Sequence, residues 1–260
     1  MKLLNKLIPL FFIYFTLGCG SDDVAGNAEV DQSIVGYTTV ALDANKNVVR
    51  GNEAILGNLI ADSFLDYAKQ KGFMIDFALV NGGNIRFSSL LHPNGVYPIG
   101  NITAANIDEL LPFGDSGIVI QITGAELKST LERSVNAIPI PDGSSGSGAF
   151  MQLSSGIQIV VDSSQQNQVI DELTNVASIV TEGQRIVQVL INGESLDLQR
   201  EYLVLVPEFV ADGGDGFVAL NNIEAERKTD LQEPLDIALD SYLRKTSPVT
   251  PILENRILID

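Results

Sequence analysis

The sequence predicts an α/β fold of the α+β type, with mixed β-sheets and flanking helices. Three observations predict it. Apolar, β-branched runs of strand length recur between stretches with apolar residues every three or four positions. The alternation is irregular, and Asn192-Gly193 is a hairpin turn, so neighbouring strands run antiparallel in places. With 45% hydrophobic residues in 260 there is apolar material for a sizeable core.

The N-terminus is a targeting segment. Met1–Lys6 is short and basic, and Leu7 to Leu17 is apolar but too short to span a bilayer, which takes about 20 residues. Residues 1–18 therefore read as a signal peptide. The only cysteine, Cys19, ends that run and resembles the lipid-attachment cysteine of bacterial lipoproteins. Residues 19–33 form a lipidated N-terminus and a polar tether, and 34–260 the folded domain. The expected location is extracytoplasmic, lipid-anchored to a bacterial membrane such as the outer membrane or cell surface, with the anchor as the only membrane contact.

Thirty-three acidic against 16 basic residues give a net charge of −17, and loss of residues 1–18 removes Lys2 and Lys6 but no acid. That balance excludes nucleic-acid polymers as partners, since they need a basic footprint. A small anion can still be held where a few arginines converge.

Within the domain, Ile34–Leu42 reads as the first strand, followed by a polar segment containing Lys46 and Arg50. Ile55, Leu56, Leu59, Ile60, Phe64, Tyr67 and Ala68 place one apolar stripe on a helix from about Glu53 to Gln70. Arg50 precedes that helix. Ile75–Val80 is a strand that runs into Asn81-Gly82-Gly83-Asn84-Ile85-Arg86, a turn flanked by an amide and a cation. Thr103 is the expected N-cap of a helix over Ala104–Leu111, stopped by Pro112-Phe113-Gly114. Gly117–Thr123 is a strand and Gly124 opens a helix to about Ala137. Pro139–Gly148 is a surface loop rather than a phosphate loop, because no lysine follows its glycines.

Ala149–Val161 is expected to carry a strand pair around Ser154-Ser155-Gly156. A polar excursion, 162–183, separates it from Arg185–Ile191 and the turn into Leu196-Asp197-Leu198. Tyr202–Val206 is a buried strand ending in Pro-Glu-Phe-Val-Ala-Asp-Gly-Gly-Asp-Gly-Phe over 207–217. There Phe209 offers a flat apolar face and Asp215 a pair of acceptors beside three glycines, which suits a ligand with a planar ring and vicinal hydroxyls. A glycine-rich turn whose phenylalanine caps the core would look alike. Thr229-Asp230-Leu231-Gln232 reads as a capping box for a helix to about Leu243, and Arg256–Ile259 as the last strand.

Taken in order, Arg50 with Glu53–Asp62, Asn81–Arg86, Ile102-Thr103 with Leu110–Gly114, Gln152 with Ser155-Gly156, and Phe209 with Gly213–Phe217 resemble the C-terminal domain of the 5′-nucleotidases. The third glycine of that family's Asn-Gly-Gly-Gly-Ile-Arg run is Asn84 here. The resemblance implies that Phe113 and Phe209 sandwich a base and Asn81 reads its edge, while Gly156 lets backbone approach it. It further implies that Asp215 holds the ribose and that Arg50 and Arg86 clamp the phosphate or sugar, with Lys46 a weaker candidate. The expected ligand is a nucleotide or nucleoside.

In full-length relatives hydrolysis belongs to an N-terminal metallophosphoesterase domain rich in histidine. This sequence has one, His92, in a Leu91-His92-Pro93 loop context, and no Gly-x-Ser-x-Gly elbow. The expectation is no catalytic residue, metal or cofactor in this chain, with divalent metals held by a separate metallophosphoesterase subunit. A stand-alone nucleoside- or nucleotide-binding surface lipoprotein is the alternative, and a structural module that has lost its pocket a third reading.

Overall fold

The computed structural model describes residues 31–140, 144–171 and 177–260. The expected signal peptide, Cys19 and the tether up to residue 30 lie outside them. The chain opens with β1 (Ile34–Thr38) and β2 (Leu42–Asp43) rather than one strand. Thr38 Oγ1 donates to the Val40 carbonyl at 2.7 Å and turns the chain between them. The polar segment that follows contains a short helix, α1 (Lys46–Val49), anchored by buried Val49. The apolar stripe then folds as expected into α2 (Ile55–Gln70).

Next come β3 (Phe77–Asn81), β4 (Val96–Tyr97), β5 (Gly100–Thr103) and α3 (Ala104–Leu110). Thr103 caps α3: its Oγ1 accepts from the Asn106 amide at 3.3 Å, and Asn106 Oδ1 accepts from the Thr103 amide at 3.1 Å. Thr123 and Glu126 repeat this arrangement between β6 (Ser116–Thr123) and α4 (Gly124–Ser134). The order continues with β7 (Met151–Leu153), β8 (Ile157–Val161), β9 (Val169–Asp171), β10 (Ser178–Thr181), β11 (Ile186–Ile191) and β12 (Glu194–Ser195). It ends with β13 (Glu201–Pro207), α5 (Glu208–Ala211), α6 (Val218–Asn221), β14 (Lys228–Pro234), α7 (Leu235–Thr246) and β15 (Ile257–Ile259).

Several expectations are corrected. No strand pair forms around Ser154–Gly156: β7 pairs with β3, whereas β8 lies between β11 and β15 in another sheet. Gly156, at φ +95°, turns the chain from one sheet to the other. Thr229–Gln232 caps no helix but belongs to β14, whose Lys228–Asp230 pair with Ile120–Ile118 of β6. Sheet pairing takes the backbone groups a cap would have used, and α7 starts only after Pro234. The polar excursion holds the β9–β10 hairpin, and β12 follows Asn192-Gly193 directly, ahead of Leu196.

A five-stranded sheet, ordered β14-β6-β13-β3-β7, lies between two cores. The three inner strands, β6, β13 and β3, alternate between them. Ala78, Val80, Val119 and Leu205 face the core that includes α2 and α7, while Phe77, Leu79, Ile120, Ile122, Val204 and Val206 face the core with α4 and the β12-β11-β8-β15 sheet. Burial on both faces explains why these strands read as continuous apolar runs, each large side chain contributing about 1.5–3 kcal/mol.

The topology also selects one edge. β3 and β13 run parallel side by side, while β6 is antiparallel to β13 and β7 antiparallel to β3. The connections after β3 and β13 therefore meet those before β6 and β7, at the strand ends where ligands gather in α/β sheets.

Candidate functional site

A cleft of about 500 Å³ opens at this edge. The connection after β3 supplies Asn81, Gly83, Asn84 and Arg86, and that before β6 supplies Phe113 and Asp115. Gly148 precedes β7, Phe209 and Asp215 follow β13, and Arg50 closes the ring from the end of α1. Six of the seven ligand residues expected from sequence thus line one cavity, though they are up to 165 positions apart. Gly156 does not line it. A Cβ there would approach the Asp76 carbonyl and the Asn192 side chain, so its place is the inter-sheet turn. Lys46 does not line it either.

Phe113 and Phe209 are 53% and 46% exposed, unlike Phe217, which is fully buried in the second core. Phe209 is α5's second residue, and its ring lies on the Gly214 backbone: a Cβ on Gly214 would stand 2.4–2.5 Å from the ring. Only glycine lets the ring pack there. The Arg86 guanidinium carbon lies 5.1 Å from the Phe113 ring centre, a cation–π contact that ties the aromatic to the cationic end of the cleft.

Asp215 is held in place from three sides. Its backbone is left-handed, φ 55°, a conformation that costs about 1–2 kcal/mol in most L-residues and less in Asp. Arg133 of α4 donates from Nε to the Asp215 carbonyl at 2.8 Å, and Asn81 Nδ2 donates to Asp215 Oδ2 at 2.9 Å. Glycines 83 and 148 leave room for the carboxylate, which would lie 3.0 and 2.9 Å from their added Cβ atoms. Asn81 is 1% exposed and spends its amide N–H on Asp215. The amide thus positions Asp215, while Asn81 Oδ1 is buried with no hydrogen-bond partner in the protein.

Arg50 and Arg86 lack a carboxylate at ion-pair distance among the described residues; Arg50 donates only to the Gly82 carbonyl, at 3.3 Å. Burial and the charge of Arg86 push the Arg50 guanidinium pKa down, against a smaller pull from Asp215. Arg86 Nε is buried with no hydrogen-bond partner in the protein. Two mutually repelling cations with unused donors have the chemistry to accept an anion.

Asp115 was missed by sequence reasoning. Burial first and the Glu208 charge second raise its carboxyl pKa, while the hydrogen bond from Asn84 lowers it. An acid two residues beyond Phe113, just before an apolar strand, was the available signal.

The described residues lining the cleft include no histidine or cysteine. His92 Nδ1 meets Glu109 Oε2 at 3.0 Å outside the cleft, and among the described residues no three His, Cys, Asp or Glu groups are placed to hold an ion. Nor is any helix of the described residues long and apolar enough to cross a membrane.

The profile of the family described as "5′-nucleotidase, C-terminal domain" matches residues 34–222. The trifunctional nucleotide phosphoesterase protein YfkN of Bacillus subtilis is 30% identical over 236 residues, 88% of this chain and 14% of that protein. Human 5′-nucleotidase is 28% identical, with 86% of this chain covering 36% of it. The structure of the 5′-nucleotidase precursor from Thermus thermophilus superposes with a TM-score of 0.70 at 31% identity, covering 88% of this chain and 39% of that one. The NAD nucleotidase of Haemophilus influenzae, at 21% identity and a TM-score of 0.66, shares the fold over 89% of this chain and 38% of its own. The chain thus spans between about a seventh and a half of the curated relatives it matches. The matched span covers the strands and loops that build the cleft, and the chain belongs to the 5′-nucleotidase C-terminal domain family.

Proposed function

We propose that this domain is the nucleotide-recognition component of a 5′-nucleotidase-type phosphohydrolase, extracytoplasmic and lipid-anchored through Cys19, which works with a metallophosphoesterase on a separate chain. The observation that carries it is the cleft, where two half-exposed phenyl rings, an acid on a glycine bed and two uncompensated arginines face one cavity. These are the parts that a base, a ribose and a phosphate need. Phe113 and Phe209 hold the base, a stacking contribution of about 1–3 kcal/mol per base. Asp215, fixed by Asn81, accepts from the ribose hydroxyls, and Arg50 and Arg86 take the phosphate. Divalent metals, supplied with the partner's own side chains, would carry out hydrolysis. This chain binds and presents the nucleotide.

The test is calorimetric titration of residues 31–260 with nucleosides and their 5′-monophosphates, followed by a phosphate-release assay with divalent metal. The expected result is tighter binding of the monophosphate and no release without a metallophosphoesterase. Binding without release under any pairing would favour a stand-alone binding lipoprotein. Release by this chain alone, or no binding at all, would overturn the reading.

A further inference from the structure

The carboxylate at Asp115 gives the cleft a chemical preference among bases. The antiparallel pairing of β6 with β13 ends at Gly117↔Pro207, so the segments carrying Phe113 and Phe209 leave the sheet side by side. Ser116 Oγ donates to Glu208 Oε2 at 3.2 Å across them. Asp115, two residues beyond Phe113 on the first of these segments, lines the cleft with both rings. Its Oδ2 accepts from Asn84 Nδ2 at 3.2 Å, and among the described residues no donor is recorded on Oδ1 and no cation pairs with the group. Asn84, 5% exposed, stands at the position of the third glycine in the run that the sequence resembles.

An ionised carboxylate only accepts hydrogen bonds. A base edge opposite it must donate, and two adjacent donors match its two oxygens in a bidentate pair. Guanine presents N1–H beside its 2-amino group. Adenine and cytosine present one amino group beside a ring nitrogen that accepts, and uracil presents one N–H between two carbonyls, so each would set a lone pair against a carboxylate oxygen. We propose that the cleft selects guanine nucleosides and nucleotides, with the Asp115 carboxylate accepting the N1–H and the 2-amino group of the base. This rests on the nucleoside reading of the cleft.

The experiment titrates residues 31–260 with guanosine, inosine and adenosine, and repeats the series with Asp115→Asn after its fold is verified by thermal melting. The wild-type order expected is guanosine, then inosine, which lacks the 2-amino group, then adenosine, with about tenfold or more between first and last. The amide in Asp115→Asn offers one acceptor and one donor, the complement of adenine, so the preference should collapse or invert. Adenosine bound as tightly as guanosine by the wild type would overturn the proposal while leaving the nucleoside site standing, as would a guanosine preference that survives Asp115→Asn. No binding of any of the three would instead sink the nucleoside reading itself.

Discussion

Arg256 and the Arg50–Arg86 pair are the same side chain in two regions used for opposite ends. Arg256, 4% exposed, donates to both Asp62 oxygens, to Glu254 and to the Leu153 carbonyl, tying the start of β15 to α2 and β7. Its donors are spent inside the protein. Arg50 and Arg86 stand at the cleft with each other's charge for company and donors left over. A paired cation holds the fold, and an unpaired one waits for a ligand.

The largest effect expected lies on the paired side. Arg256→Met leaves Asp62 and Glu254 uncompensated and should cost about 3–5 kcal/mol in chemical denaturation. Phe217→Ala, emptying a fully buried site, should cost a similar about 3–5 kcal/mol. Neither should weaken nucleotide binding by the folded fraction. A loss below about 1 kcal/mol for Arg256→Met would mean that the cage is an ordinary surface pair and the contrast is false.

On the cleft side the signs reverse. Arg50→Met should leave stability unchanged or slightly raised, because it removes a half-buried cation repelled by Arg86. It should weaken the preference for monophosphate over nucleoside, a loss of about 1.5–3 kcal/mol for a hydrogen bond to a charged group, with Arg86 holding the remainder. A destabilised variant with the preference intact would assign Arg50 to the fold. Phe209→Ala should reduce nucleoside affinity by about 1–3 kcal/mol with little change in melting, since the ring is already half in solvent.

How far the sequence reached depends on whether a property is local. The apolar stripe of α2 and the Thr103 cap were legible because period and capping chemistry are written in neighbouring residues. So was the grouping of Arg50, Arg86, Phe113, Phe209 and Asp215, through motifs whose order carries the fold. Pairing partners were not. The Thr229–Gln232 segment has the composition of a cap, and only β6, more than a hundred positions earlier, makes it a strand. β7 and β8 are adjacent in sequence, but their partners lie in separate sheets. Gly156 was misplaced for that reason. Asn81 lines the expected cleft, but its hydrogen bond to Asp215, 134 positions away, was not legible, because a buried amide reads the same whatever it meets.

The smallest effect expected concerns the one anion of the cleft that is held in an unfavourable state. Burial, then the Glu208 charge, raise the Asp115 carboxyl pKa in the folded protein, with Asn84 opposing them. A raised folded value means that protonation favours folding. That contribution is fully present below the unfolded carboxylate range and is lost as pH rises through the folded value. At about pH 7 the ionised group is therefore a net cost, and at about pH 3, where it is protonated folded or unfolded, the cost is gone. Asp115→Asn should accordingly raise the melting temperature at neutral pH, and the rise should shrink as the solution is acidified. An Asp115→Asn gain equal at both pH values would trace to packing, not charge. No gain at all would mean that Asp115 is as well solvated as a surface acid. In either case the division between charges that build the fold and charges kept for a ligand would extend only to the arginines.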